Sequence, residues 1–125
     1  MDFWLVGIGG FAGALLRYYV GQGVGRWLGA SFPYGTFLIN VSGSWFLGFV
    51  GTLALDHGTL ISPAWRLLLM VGFVGAFTTF STFMFEGLQL VRQGAIAEAA
   101  WYVGGSVAVG FAAVWVGYLM ARLVP

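Results

Sequence analysis

Four hydroxyl side chains lie within five residues in the middle of a strongly apolar stretch of the sequence. Two glycines precede them and phenylalanines alternate with them, in the order Gly72-Phe73-Val74-Gly75-Ala76-Phe77-Thr78-Thr79-Phe80-Ser81-Thr82-Phe83. Lipid is a poor solvent for hydroxyl groups, so this segment is expected to face protein or a water-filled path. The edges of aromatic rings carry partial positive charge and can contact an anion without holding it too strongly. The segment therefore favours anion conduction.

The same segment has a second possible role, in the shape of the helix itself. Glycine at position 75 is flexible, and the hydroxyls of Thr78 and Thr79 can satisfy carbonyl groups that an opened helix leaves free. An unwound turn in mid-membrane would expose carbonyl oxygens, which coordinate hard cations such as Na⁺. The spacing predicts a helix that is broken near its middle.

Polar residues also follow the faces of two other apolar runs. Thr36, Asn40 and Ser44 recur every four residues and form one stripe on a helix. The Asn40 amide offers two donors and an acceptor, and it could serve either a hydrogen-bonding track or helix–helix association, worth about 1 kcal/mol in membranes. Tyr102 and Ser106 are four residues apart and could extend the path or serve ordinary packing.

The first apolar run has its own pattern, which combines small residues with one arginine. Gly9 and Gly13 have the G-x-x-x-G spacing that allows two helices to approach closely, and Arg17 continues that face. A buried arginine either faces the helix bundle, here as an electropositive vestibule for anions, or extends its guanidinium to the membrane interface. In the last run, small residues form a second packing face: Ala113, Gly117 and Ala121.

Composition identifies the class of protein that must position these residues. The chain has 125 residues, of which 60% are apolar and only nine are charged. A soluble domain carries roughly a quarter charged residues, so the composition predicts an integral membrane protein. A net charge of +1 without any basic run argues against a nucleic-acid partner. The chain has no cysteine and no clustered acid–base pair in its apolar runs, which argues against an enzyme.

Four apolar runs are each close to the ~20 residues that span a bilayer as a helix. They predict an all-α membrane protein that forms a single domain over residues 1–125, with helices at 3–21, 34–55, 65–86 and 98–122. The first twenty residues lack the basic start of a signal peptide, so the mature chain is expected to begin at Met1. Asp56 and His57 fall in a short loop, where solvated polarity is the default and metal binding or pH sensing the alternative.

The arginines that flank the runs are balanced between the two membrane faces. Arg26 and Arg92 fall on one side, and Arg66 and Arg122 fall on the other. Cytoplasmic loops normally carry the excess of basic residues, so the orientation signal is weak. The chain either inserts in both directions, giving an antiparallel dimer, or has a fixed topology that one residue's context decides.

Three motifs make the chain resemble the Fluc/CrcB-type fluoride channels. They are Gly9-Gly10-x-x-Gly13-Ala14-x-x-Arg17-Tyr18, Pro33-x-Gly35-Thr36-x-x-x-Asn40-x-x-Gly43, and the hydroxyl–phenylalanine string that begins at Gly72. The last is the most specific, and together the three cover the first three helices. The resemblance, which extends over all four helices, implies an antiparallel homodimer of dual topology in the plasma (inner) membrane, with two F⁻ pores.

The resemblance also implies roles for single residues. Asn40 would line the pore as a donor, Phe80 and Phe83 would be the pore phenylalanines, and Gly75 and Thr78 would give backbone carbonyls to a structural Na⁺ on the dimer axis. Arg17 would lie near the vestibule. The remaining expected pore residues are Ser81, Thr82, Tyr102, Ser106 and, from the polar stripe, Thr36.

The expected function is a passive, F⁻-selective channel that exports toxic fluoride down its gradient. Two alternatives remain. A small multidrug transporter also has four helices and can have dual topology, but it needs a membrane-embedded carboxylate, and Glu86 is expected at a helix end. A non-conducting assembly subunit would be held together by the glycine and asparagine faces.

Overall fold

The computed structural model describes residues 1–56, 58 and 60–125, and His57 therefore lies outside the described residues. Four helices are long and apolar enough to cross a membrane: Asp2–Leu28, Tyr34–Asp56, Pro63–Arg92 and Ile96–Ala121. No strand occurs in the described part of the chain. The predicted all-α architecture with four membrane-capable helices is confirmed.

Two of the predicted helix ends are wrong because the helices continue past the apolar core. Helix α1 runs Asp2–Leu28 rather than ending at residue 21, and it stops at Gly29, whose φ of 87° is favoured by glycine. The third membrane segment ends at Arg92 rather than at residue 86. Hydropathy reports where apolar side chains end, whereas a helix ends where its backbone geometry changes. Helices α2 (Tyr34–Asp56) and α6 (Ile96–Ala121) are continuous.

The third membrane segment is bent and consists of several pieces. It begins with the short helix α3 (Pro63–Arg66), which Ser62 caps by accepting a hydrogen bond from the Trp65 N–H. A π-helical segment, Leu67–Val74, follows, and α4 (Gly75–Phe77) continues it. Thr78 and Thr79 then have extended backbone, with φ/ψ of −81°/159° and −151°/121°. Helix α5 (Phe80–Arg92) starts anew, and the Thr79 hydroxyl caps it.

Glycines allow α1 to lie directly on the π-helical segment. A Cβ atom at Gly9 would overlap the Leu68 carbonyl oxygen, and one at Gly13 would overlap the Phe73 carbonyl oxygen. The close approach predicted from the G-x-x-x-G spacing is therefore present. The contact holds the bent segment against the continuous helix α1, so that the break after Phe77 has a defined position in the fold.

A second glycine contact joins α2 to α6. A Cβ at Gly48 would overlap the Val114 carbonyl oxygen, and one at Gly117 would overlap the Trp45 carbonyl oxygen. Gly117 and Ala121 are buried, as the predicted small-residue face requires. Backbones that meet this closely hold the polar stripe of α2 opposite the polar residues of α6.

The interior of the single chain is small, and much of the apolar surface faces outward. A buried cluster of Phe83, Leu90, Ala99 and Tyr102 is its main core. Large side chains on the outer faces remain exposed, among them Phe3, Phe11, Trp27, Trp101 and Phe111. Exposed apolar side chains at this density require lipid or another protein surface around the chain.

Candidate functional site

The extended residues at the break are held by one side chain from α2. The Asn40 amide donates from Nδ2 to the Thr79 carbonyl oxygen at 2.9 Å, and Asn40 Oδ1 accepts from the Thr79 N–H at 2.8 Å. A backbone that leaves helical geometry inside a membrane needs new partners for its polar groups. Asn40 supplies both of them for Thr79. One N–H of its amide remains for another acceptor.

The break deprives carbonyl groups of their helical donors, among them those of Gly75 and Thr78. In an unbroken helix the Thr79 N–H would bond the Gly75 carbonyl, and the Thr82 N–H would bond the Thr78 carbonyl. Here the Thr79 N–H bonds Asn40, and the Thr82 N–H bonds the Thr79 hydroxyl at 3.3 Å. The Thr78 hydroxyl turns back and donates to the Val74 carbonyl at 2.9 Å. The two carbonyls are therefore available to other partners.

A cavity of about 280 Å³ opens beside the break. We call it the central cavity, and its lining includes Asn40, Ser44, Thr79, Phe80, Phe83 and Ser106. The Ser106 hydroxyl is buried, and it has no hydrogen-bond partner among the described residues. A buried hydroxyl without a partner is costly. It marks the cavity as a place where an acceptor would be stabilised.

The two phenylalanines of the predicted pore have different environments. Their rings meet edge to face, with centroids 6.0 Å apart. Phe83 is 5% exposed and packs its ring against Tyr102 at 5.0 Å, again edge to face. Phe80 is 73% exposed and points out of the chain. Both rings line the central cavity, but only Phe83 belongs to the core of the single chain.

A carboxylate joins three helices next to these rings. The Tyr102 hydroxyl donates to Glu86 Oε2 at 2.6 Å, and the Thr36 hydroxyl donates to Glu86 Oε1 at 2.9 Å. Tyr102 has no exposed surface and Thr36 is 8% exposed. Hydrogen bonds to a carboxylate are among the strong ones. The network brings Thr36 and Tyr102, both expected to be pore residues, together around a carboxylate that the sequence had placed at a helix end.

Residues 4–118 match the sequence model of the CrcB-like protein family, which is described as Camphor Resistance (CrcB). The chain belongs to this family. It is 46% identical over 122 residues to a protein of Acidobacterium capsulatum named fluoride-specific ion channel FluC, with 98% of this chain and 97% of that protein covered. A protein of the same name in Chlorobaculum tepidum is 50% identical, with 95% of this chain and 93% of that protein covered. Another in Solibacter usitatus is 44% identical, with 98% of this chain and 99% of that protein covered.

Membership of the CrcB-like family confirms the resemblance found from the three motifs. Its relatives are named as channels, and this chain has four membrane-capable helices. The protein is therefore a multi-pass membrane protein of a channel family and not an enzyme.

Two predicted pore hydroxyls of this CrcB-like chain do not join the central cavity. Ser81 and Thr82 are exposed and point away from the bundle, although the Thr82 hydroxyl accepts from the Thr79 hydroxyl at 3.0 Å. They share a turn of helix with Phe80, which is also exposed. Polar and aromatic groups therefore lie together on an outward face at the level of the break.

Arg17 is half-buried on α1, four residues beyond the contact of Gly13 with the third segment. Within the described residues, its side chain forms no hydrogen bond. It lines neither the central cavity nor the space beside Glu86. Its vestibule role remains a prediction.

Sequence reasoning missed the function of Glu86 in this site. The expected helix ended there, so the carboxylate was placed at a helix end rather than inside the bundle. The available signal was the spacing on one helix face, since Glu86 follows Phe83 by three residues and Thr82 by four. Its partners come from two other helices, 50 and 16 residues away along the chain, and spacing within one helix cannot identify them.

Proposed function

We propose that the protein is a channel that conducts fluoride passively and selectively. The observation that carries the proposal is the central cavity, which Asn40, Ser106 and the Phe80 and Phe83 rings line. Beside it lies the buried Ser106 hydroxyl, which has no hydrogen-bond partner among the described residues. The relatives named as fluoride-specific channels supply the identity of the ion.

The chemistry of the cavity suits a small anion that must give up its hydration shell. A pore has to replace that water with donors. Ser106 offers a hydroxyl and Asn40 one remaining amide N–H, and the ring edges of Phe80 and Phe83 add weak positive charge. Among the residues that the structure describes, no arginine lines the cavity, and an arginine would hold the ion too tightly for conduction.

The outward face at the break supports assembly of two copies. Phe80, Ser81 and Thr82 are exposed there, and hydroxyls in mid-membrane favour a protein neighbour over lipid. The balanced arginines are compatible with insertion in both directions. We propose an antiparallel homodimer of dual topology in the bacterial plasma membrane. Each of its two pores combines the central cavity of one copy with the outward face of the other, and fluoride leaves the cytoplasm down its gradient.

The Gly75 and Thr78 carbonyls, which the break releases, suit a structural Na⁺ on the axis of that dimer. Hard cations prefer oxygen ligands, and Gly75 and Thr78 would contribute backbone oxygens from each copy. When bound, the cation would neutralise carbonyl dipoles that face each other across the axis. Thr78→Ala should be mild because the carbonyl, not the hydroxyl, is the ligand. Dimer dissociation measured with and without Na⁺ tests the site, and a dimer whose stability is independent of Na⁺ would reject it.

A proton-coupled multidrug transporter is the alternative that one observation favours. Such a transporter needs an embedded carboxylate, and Glu86 is hydrogen-bonded within the helix bundle rather than at its surface. Against this, both oxygens of Glu86 already accept hydrogen bonds from Thr36 and Tyr102. The relatives are also named for fluoride.

Fluoride efflux from liposomes that contain only the purified protein tests the proposed function, with chloride as the competing ion. We expect rapid F⁻ release without Cl⁻ release. Proton-coupled efflux of an organic cation instead would establish the transporter. A folded dimer that releases no ion would favour the non-conducting assembly subunit.

A further inference from the structure

A second cavity, of about 350 Å³, lies at the membrane face where α1 ends, α2 begins and α5 ends. We call it the terminal cavity, and its lining includes Gly21, Gly25, Thr36, Glu86, Gln89 and Gln93. It therefore reaches inward as far as the carboxylate network. Glycines on the α1 side keep the space open, since a Cβ at Gly25 would meet no atom within 4 Å.

The two cavities are connected by a continuous series of contacts. The Phe83 ring, which lines the central cavity, packs against Tyr102. Tyr102 donates to Glu86, which lines the terminal cavity together with Thr36. Phe83 is 5% exposed and Tyr102 has no exposed surface, so these side chains separate the two cavities. An ion that leaves the central cavity past Phe83 has to displace them to reach the terminal cavity.

Helix α5 places polar side chains along the wall of that cavity. Glu86, Gln89 and Gln93 are spaced by three and four residues and share one helix face. Gln89 is half-buried and Gln93 is exposed. Within the described part of the chain, the Gln89 side chain forms no hydrogen bond. Its amide donors, one turn beyond the carboxylate, are free to contact an ion.

We infer that the terminal cavity is the outer end of the fluoride path and that Gln89 is a residue that positions the ion there. The inference rests on the proposed function and adds to it. A fluoride ion beside Glu86 meets a negative charge, and the Thr36 and Tyr102 hydroxyls are already committed to that carboxylate. The Gln89 amide supplies a donor at the point where the ion passes the carboxylate and regains water.

The test compares Gln89→Leu with Gln22→Leu, a matched change at an exposed glutamine of α1 that lines neither cavity. Fluoride efflux is measured from liposomes that contain the full-length protein. We expect Gln89→Leu to conduct at about one tenth of the unchanged rate or less, the effect of one lost hydrogen bond to a charged group. Gln22→Leu should match the unchanged protein.

Thiol labelling gives a second measurement within folded protein. The chain has no cysteine, so Gln89→Cys and Gln22→Cys each introduce a single thiol. A methanethiosulfonate reagent on both sides of the membrane should stop most of the flux through Gln89→Cys and leave Gln22→Cys unaffected. This comparison holds even if Gln89→Leu folds poorly.

The outcomes separate the two proposals. If the unchanged protein conducts fluoride while both Gln89→Leu and labelled Gln89→Cys conduct at its rate, the terminal cavity is not on the path and this inference alone fails. If the unchanged protein conducts no fluoride, the proposed function fails and this inference fails with it.

Discussion

Replacing Asn40 with leucine should destabilise the protein by removing both hydrogen bonds that hold the break. Leucine keeps approximately the same volume, so the loss is mainly that of the bonds to the Thr79 N–H and carbonyl, at 2.8 and 2.9 Å. In soluble proteins each buried group left without a partner costs about 1–3 kcal/mol. Side-chain hydrogen bonds in membrane proteins average about 0.6 kcal/mol and reach about 1.7.

The membrane value applies here because a helix that separates within the bilayer finds other partners for its polar groups. Two bonds then give an expected loss of about 1–3 kcal/mol for Asn40→Leu. Thr52→Val is the matched control on the same helix, since the Thr52 hydroxyl donates only to the carbonyl of Gly48, four residues earlier. That change should stay within about 0.5 kcal/mol because the carbonyl keeps its helical donor.

The measurement is unfolding of the purified protein in mixed micelles with increasing denaturing detergent, followed by the fluorescence of its tryptophans. Fluoride efflux is measured on the same preparations, and we expect Asn40→Leu to lose flux together with stability. If Asn40→Leu unfolds at the same detergent fraction as Thr52→Val, Asn40 does not hold the break and its contacts with Thr79 contribute little.

Gly13→Ala should destabilise the protein by about 2 kcal/mol or more because the added Cβ would overlap backbone. Gly23→Ala is the control and should be neutral or stabilising, since a Cβ there would meet no atom within 4 Å. Equal midpoints of the two variants in the same unfolding assay would contradict this. Phe80→Ile and Phe83→Ile should both slow fluoride efflux, and the change at Phe83, which is 5% exposed within the single chain, should also lower stability; unchanged flux in both would remove the rings from the mechanism. Tyr102→Phe deletes the donor to the carboxylate of α5. It should lower the free energy of unfolding by about 1–2 kcal/mol and alter efflux. A variant identical to the parent in both assays would show that this hydrogen bond contributes to neither.

The break depends on several local features that act together. The π-helical segment Leu67–Val74 lies against the glycines of α1. The short helix α4 comes next, and the extended Thr78 and Thr79 follow it. π-Helical turns are rare in proteins, and those that occur are often found at functional sites. Asn40 then satisfies the backbone that the break exposes. The result is a bend in mid-membrane that leaves carbonyl groups free without leaving Thr79 unpaired.

Sequence alone determined the features that depend on neighbouring residues and on solvent. The number of membrane helices follows from apolar runs near the length of a bilayer core. The close approach of α1 to another helix follows from Gly9 and Gly13, since a missing side chain is visible in the sequence, whereas its partner, the third segment, was identified by the structure. The third segment starts at Ser62 and Pro63 for a local reason, because a proline in the first turn of a helix loses no hydrogen bond. The hydroxyl–phenylalanine string indicated both the family and the level of the polar site.

Tertiary structure decided which polar groups meet, because their partners are distant along the chain. Asn40 and Thr79 are 39 residues apart, and Thr36 and Glu86 are 50 apart. Glu86 was expected at a helix end. Because α2 and α6 pack beside α5, its carboxylate instead accepts hydrogen bonds from Thr36 and Tyr102. The fold also decides which side of α5 faces the bundle. Because α5 starts anew at Phe80, the extended residues before it set the rotation of the helix about its own axis. Phe83 therefore faces inward, and Ser81 and Thr82 face outward. The helical repeat in the sequence shows which residues share a face of the helix but not which face points inward. Only the fold decides that.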